Sequence, residues 1–146
     1  MSMIFLACDR GNVLFEENQN FEDNTWSFDD PKTFSYHSKD SITPVKLYIN
    51  LRTTTDFPYR NIYMFLHSNY SNGYSNIDTL QFFLADAEGN WLGDNSGTIV
   101  ENRALVSKGV FRDTGTYSFT LEQAMRNDSL TEILDVGVRI ERLGID

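Results

Sequence analysis

A chain of 146 residues with a formal net charge of -9 is one domain's worth of sequence, long enough to bury an apolar core without disulfides or metal. Its 21 acidic side chains against 12 basic ones repel a polyanion, which argues against nucleic acid and against charge-driven adsorption to an anionic lipid surface. A single cysteine, Cys8, excludes an internal disulfide and any cysteine-rich zinc site, and no apolar stretch approaches the length of a membrane-spanning helix.

The chain begins with an apolar run, Met3 to Ala7, that ends on a small residue and is followed at once by Cys8. A secretory leader has a basic start, an apolar stretch and a small residue before the cut. The last two features are present and the basic start is not. The run is also too short to engage a secretion channel alone. Residues 1–7 therefore read as the remnant of a lipoprotein signal peptide, 8–12 as a lipidated tether and 13–146 as the folded domain. Phe5-Leu6-Ala7-Cys8 resembles the bacterial lipobox, with Phe5 where Leu is commonest. That order suits the chemistry: the thiol is alkylated, and the peptidase accepts only small side chains before the modified residue. The competing reading is a cytosolic chain that buries the Cys8 thiol in its first strand, as free cysteines often are.

From Val13 onward most of the sequence reads as strand. Val13 and Phe15 alternate with Leu14 and Glu16, and Phe34 and Tyr36 alternate with polar neighbours. In Val45–Arg52, Leu47, Ile49 and Leu51 share one face, and Lys46, Tyr48, Asn50 and Arg52 the other, the period of a half-buried strand. Ile62 to Leu66 is apolar on both faces, which predicts a strand buried in mid-sheet. Asn72-Gly73 tolerates positive φ at both turn positions and predicts a type I′ hairpin into a return strand with Leu80, Phe82 and Leu84 on one face. Asp86 to Gly97, with three glycines, reads as a loop or a pair of turns. Late strands follow, with Tyr117, Phe119 and Leu121, then Val136, Val138 and Ile140, facing inward. Between them Leu130 to Leu134 reads as a short helical turn. The pattern predicts a single all-β domain, an antiparallel β-sandwich of jelly-roll or Ig-like type, with a closed barrel as the alternative.

No catalytic motif stands out. His37 and His67 have no carboxylate at metal-ligand spacing, and no nucleophile elbow, zinc-protease or phosphate-loop pattern occurs. Asp86-x-Glu88-x-Asn90 is similar to a calcium loop, but its glycine precedes the third ligand and the distal Glu is missing. The expectation is no catalytic residue, no cofactor and no metal. Trp26 and Trp91 lie in polar, turn-like surroundings, where an aromatic side chain either contacts a partner or sugar ligand or plugs the end of a sandwich. For Trp91 the flanking Leu92 favours the plug.

The stretches Leu47–Leu66, Leu84–Leu105 and Gly115–Arg142 together resemble the gliding motility lipoprotein GldH family of Bacteroidetes-type bacteria. The resemblance runs from about Cys8 to Arg142 and rests on Asn50-Leu51-Arg52 with Tyr59, on Trp91-Leu92-Gly93, and on Glu122-Gln123-x-Met125-Arg126. It implies a lipoprotein signal, matched by Cys8, and a non-enzymatic accessory role in a gliding apparatus linked to protein secretion. The implied partners are the membrane, through the lipid, and other proteins of that machinery. Asp9 is not followed by an acidic run resembling a surface-export signal, so the expected location is the cell envelope, facing the periplasm. The resemblance further implies O-glycans at Asp-Ser/Thr followed by a small or aliphatic residue. Asp40-Ser41-Ile42, Asp78-Thr79-Leu80 and Asp128-Ser129-Leu130 match, and Ser41, beside Pro44, is the best placed. The competing function is a β-sandwich binding module for a glycan, using Trp26 or Trp91.

Overall fold

The computed structural model describes residues 12–144. Cys8, the expected signal remnant and all of the expected tether but Asn12 lie outside these residues. The strands are β1 (Val13–Asn20), β2 (Thr25–Ser27), β3 (Lys32–Ser38), β4 (Thr43–Thr54), β5 (Asn61–Tyr70), β6 (Ser75–Phe83), β7 (Asp94–Ser96), β8 (Ile99–Phe111), β9 (Gly115–Gln123), β10 (Ser129–Thr131) and β11 (Ile133–Arg142).

Two antiparallel sheets face each other, one ordered β1-β11-β4-β8-β7 and the other β3-β9-β5-β6, with β10 and β2 forming a small ribbon. Among the eight long strands, the first, eighth, third and sixth make one sheet and the second, seventh, fourth and fifth the other. That interleaving is the jelly roll, which settles the choice between jelly-roll and Ig-like sandwich. The core lies where the period-two pattern places it. Leu47, Ile49 and Leu51 of β4 and Val136, Val138 and Ile140 of β11 face Phe34, Met64, Leu66, Phe119 and Leu121 of the other sheet, all buried. Burying one such side chain stabilises the fold by about 1.5–3 kcal/mol before the entropy of ordering it is counted.

Three local expectations need correction. Leu130 to Leu134 is no helical turn: Ser129–Thr131 is a strand paired with β2, and Glu132, at φ 66°, breaks the chain direction before β11. The single 3-10 turn of the described residues is at Glu22–Asn24, near the other end of the chain. The reason is tertiary: Leu130 pairs opposite the buried Trp26, and that burial outweighs local helix preference. The β5–β6 hairpin is not of type I′. Tyr70 N–H donates to the Tyr74 carbonyl at 2.9 Å, leaving a three-residue loop in which Gly73, at φ 98°, takes the left-handed position. Finally, β5 is indeed interior to its sheet, but Tyr63 and Phe65 point outward and are each 38% exposed.

Candidate functional site

The outer face of the five-stranded sheet carries a cleft of about 640 Å³. Strand register places its side chains in rungs. One rung runs Asn20, Asp135, Arg52, Glu101, Asp94 across β1, β11, β4, β8 and β7. The next runs Asn18, Gly137, Asn50, Arg103. All of these except Gly137, together with Glu16 and the Leu92-Gly93 segment, line the cleft.

The floor carries two hydrogen-bonded groups, Arg52 with Asp135, and Asn50 with Glu16, Asn18, Arg103 and Arg139. Arg52 donates to one oxygen of Asp135 from Nε at 2.8 Å and from Nη2 at 2.6 Å. Asp135 is buried, and its hydrogen bonds are the main reason the Arg52 guanidinium holds its proton more tightly than usual, against an opposing effect of burial. Asn50, also buried despite facing outward, donates to Glu16 at 2.8 Å and to Asn18 at 3.2 Å, and accepts from Arg103 Nε at 2.9 Å. Glu16 further accepts from Arg103 Nη2 at 2.9 Å and from Arg139 Nη1 at 2.7 Å. Burial works against the charge on Arg139, but hydrogen bonding to Glu141 and the charge of Glu16 raise its pKa overall. Gly137 is a steric requirement of this arrangement, because a β-carbon there would collide with the Asn18 side chain and the Glu17 carbonyl.

Chemically the floor is a polar surface of amides, guanidinium groups and carboxylates. The carboxylates of Glu16 and Asp135 are both engaged by guanidinium donors. What remains available is amide and guanidinium hydrogen-bonding capacity, with Asp94 and Glu101 adding negative charge on the β7 side.

The residues singled out in the sequence are scattered. Trp26 is fully buried, stacks on Phe21 with ring centroids 4.9 Å apart, and donates its indole N–H to the Asp30 carbonyl at 3.0 Å. It has no face to offer a partner or sugar, so its assignment as a contact is withdrawn: Trp26 is the plug. Trp91 pairs with Ala85 and is half-buried against the core, whereas its neighbour Leu92 is 59% exposed. Ser41 is exposed in the bend before β4, Thr79 lies within β6 and Ser129 begins β10. The Asp86 carboxylate is taken up by its own loop, accepting from the amides of Glu88 at 3.0 Å and Asn90 at 2.8 Å. His67 meets Glu122 across the β5–β9 ladder, a pairing 55 residues apart that sequence spacing does not reveal. Two groups stand out among the residues that carry the resemblance. Asn50, Arg52, Leu92 and Gly93 line the cleft, while Tyr59 and Gln123 hold the corner after β9 through bonds with Asn127 at 2.7 and 2.9 Å.

Fold and cleft define a jelly-roll domain with a polar cleft on the outer face of one sheet. The family described as GldH lipoprotein matches residues 13–140, and the chain belongs to that family. It is 29% identical over 148 residues to a gliding motility lipoprotein GldH homolog of Christiangramia forsetii, covering 96% of this chain and 90% of that one. It is 27% identical to the gliding motility lipoprotein GldH of Flavobacterium johnsoniae, covering 97% and 91%. Among solved structures, it is similar to the Eiger TNF of S. frugiperda, at TM-score 0.46 and 9% identity over 91% of this chain and 94% of that one. It is also similar to a GH26-CBM35 β-(1,4)-mannanase of Podospora anserina, at TM-score 0.46 and 12% identity, over 90% of this chain and 28% of that one.

Proposed function

We propose that the chain is a lipid-anchored, non-enzymatic accessory component of a gliding apparatus linked to protein secretion. In this reading the lipid on Cys8 holds it to an envelope membrane, the domain faces the periplasm, and the outer-face cleft engages another protein of the machinery. The names of the two relatives support the gliding role, and family membership together with Phe5-Leu6-Ala7-Cys8 supports the anchor. The observation that carries the role of the cleft is the convergence of Asn50, Arg52, Leu92 and Gly93, which are distant in sequence, on one concave surface. Trp26 gives the glycan-module reading no support, since it is buried, and no aromatic side chain lines the cleft, which leaves that reading to the half-buried Trp91. Ser41, exposed in its bend, is the position we propose for an O-glycan.

The test is co-purification from detergent-solubilised envelopes of the bacterium that makes the protein. The tagged chain is expected to come out with an envelope protein in fixed stoichiometry, and Arg103→Glu in the cleft is expected to release that protein while the domain stays folded. Recovery of the chain as a free monomer, or retention of the partner by Arg103→Glu, contradicts the assignment.

A further inference from the structure

The two flanks of the sandwich differ. On the β1–β3 side, Phe15 and Tyr36 pack with ring centroids 5.8 Å apart and Gln19 Nε2 donates to the Thr33 carbonyl at 2.8 Å, which closes the gap between the sheets. On the β6–β8 side the gap is open. Strand β6 pairs only with β5, and β7 covers β8 only at Ile99–Glu101. A cavity of about 350 Å³ lies between the two uncovered strands, lined by Tyr70, Tyr74, Asn76, Asp78, Leu80 and Val106 among others.

The backbone of β6 shows what could occupy this flank. Tyr70 N–H bonds to the Tyr74 carbonyl at 2.9 Å and Leu84 N–H to the Arg60 carbonyl at 2.7 Å, at the two ends of the β5–β6 ladder. Antiparallel pairs alternate, so the even-numbered residues between these ends exchange hydrogen bonds with β5. Ser75, Ile77, Thr79, Gln81 and Phe83 then direct N–H and C=O groups to the free edge. Ile77 is 62% and Phe83 66% exposed, and beside them Tyr63 and Phe65 continue the apolar surface. On the other face of β6, Asp78 lines the gap. Its carboxylate accepts only from the neutral Asn76 amide, at 2.9 Å, and no cation among the described residues forms an ion pair with it. Burial, the neighbouring Tyr74 and Tyr117 phenols and the charge of Asp78 all raise the Tyr70 phenol pKa.

We infer that the free edge of β6 accepts an extended segment of a partner protein as an added strand. Alternate side chains of the segment enter the gap between β6 and β8, and a lysine or arginine among them pairs with Asp78. Edge addition draws its affinity from main-chain hydrogen bonds and its specificity from alternate side-chain pockets. An inward-pointing charge on an edge strand discourages pairing with a second copy of the same edge, because that would bring a second Asp78 into one gap. A cationic segment meets the opposite response. This inference adds the partner's chemistry to the accessory role and does not depend on the cleft or the lipid.

The test uses the full chain and a fluorescent peptide, acetyl-Thr-Val-Thr-Lys-Thr-Val-Thr-amide, beside its Lys→Glu counterpart, read by anisotropy. The lysine peptide is expected to bind saturably and about tenfold or more tighter than the glutamate peptide. Asp78→Lys is expected to reverse that order. Thr79→Pro removes an outward N–H without touching the β5 ladder and is expected to abolish binding of both peptides with circular dichroism unchanged. Should Thr79→Pro not fold, the charge reversal decides. No saturable binding, equal binding of the two peptides, or an order unchanged by Asp78→Lys overturns the inference, as does a concentration-dependent dimer that Thr79→Pro dissolves. None of these outcomes bears on the cleft or the membrane anchor.

Discussion

Arg52 and Asp135, 83 residues apart in sequence, share two hydrogen bonds across β4 and β11 that converge on a single buried carboxylate oxygen. The pair joins a strand in the middle of the sheet to the C-terminal strand and forms the floor of the cleft. Removing one partner leaves the other charged and poorly solvated, and for a buried pair that costs about 3–5 kcal/mol. The Arg52 side chain is 39% exposed, so water reaches part of the vacancy and the cost falls to about 2–3 kcal/mol. Arg52→Leu is therefore expected to lower the urea midpoint clearly, and Arg52→Leu with Asp135→Leu to recover most of the loss. A single substitution that leaves the midpoint in place contradicts this role.

The two tryptophans separate by stability. Trp26 is enclosed by Phe21 and the β10–β2 ribbon, and Trp26→Ala is expected to cost about 3–5 kcal/mol, a large share of a domain's stability. The half-buried Trp91 leaves less of a cavity, and Trp91→Ala is expected to cost about 1–2 kcal/mol. Denaturant unfolding of each variant checks the order, and the parent should emit as a blue-shifted indole that loses its shortest-wavelength part in Trp26→Ala. A larger loss for Trp91→Ala would reverse the assignment of the plug.

Much of the core can be read from alternation, because a strand with one wet face repeats every two residues. Leu47-Ile49-Leu51 and Val136-Val138-Ile140 face inward as that rule requires. The rule fails at Tyr63 and Phe65, where apolar side chains occupy the outer face of an interior strand; sequence does not distinguish burial on both faces from an apolar surface. It fails again at Leu130, whose conformation is set by Trp26, about a hundred residues earlier in the chain. The cleft was legible only through the resemblance, which named Asn50, Arg52, Leu92 and Gly93 without placing them together. Their partners Glu16, Asn18, Arg103 and Asp135 come from three other strands, and only the register of the sheet brings them together.

The Asp86 loop makes a prediction in pH. The Asn90 amide lowers the Asp86 pKa most; desolvation opposes it, and the Asn90 side chain and the Glu88 and Gly89 amides add to the lowering. A depressed pKa means that the folded loop favours the ionised form. The stabilisation is therefore present above the unfolded value, about 3.9, and is lost as pH falls through the lower folded value. Titration of the Asp86 carboxyl by NMR should give a midpoint below about 3.9. Asp86→Asn should remove this acid dependence from the amides of Glu88 and Asn90. A midpoint at or above the ordinary aspartate value contradicts the geometry of the loop.

The central claim is that this jelly roll works while tied to a membrane by Cys8. The direct measurement is fractionation of the bacterium expressing Cys8→Ser from its complete native leader, with incorporation of labelled palmitate into the same protein. A serine hydroxyl does not replace the thiol in thioether formation, so the account predicts that Cys8→Ser carries no label and moves from the membrane pellet to the soluble fraction, while the parent is labelled and pellets. A Cys8→Ser protein that still carries palmitate and still pellets would contradict the account.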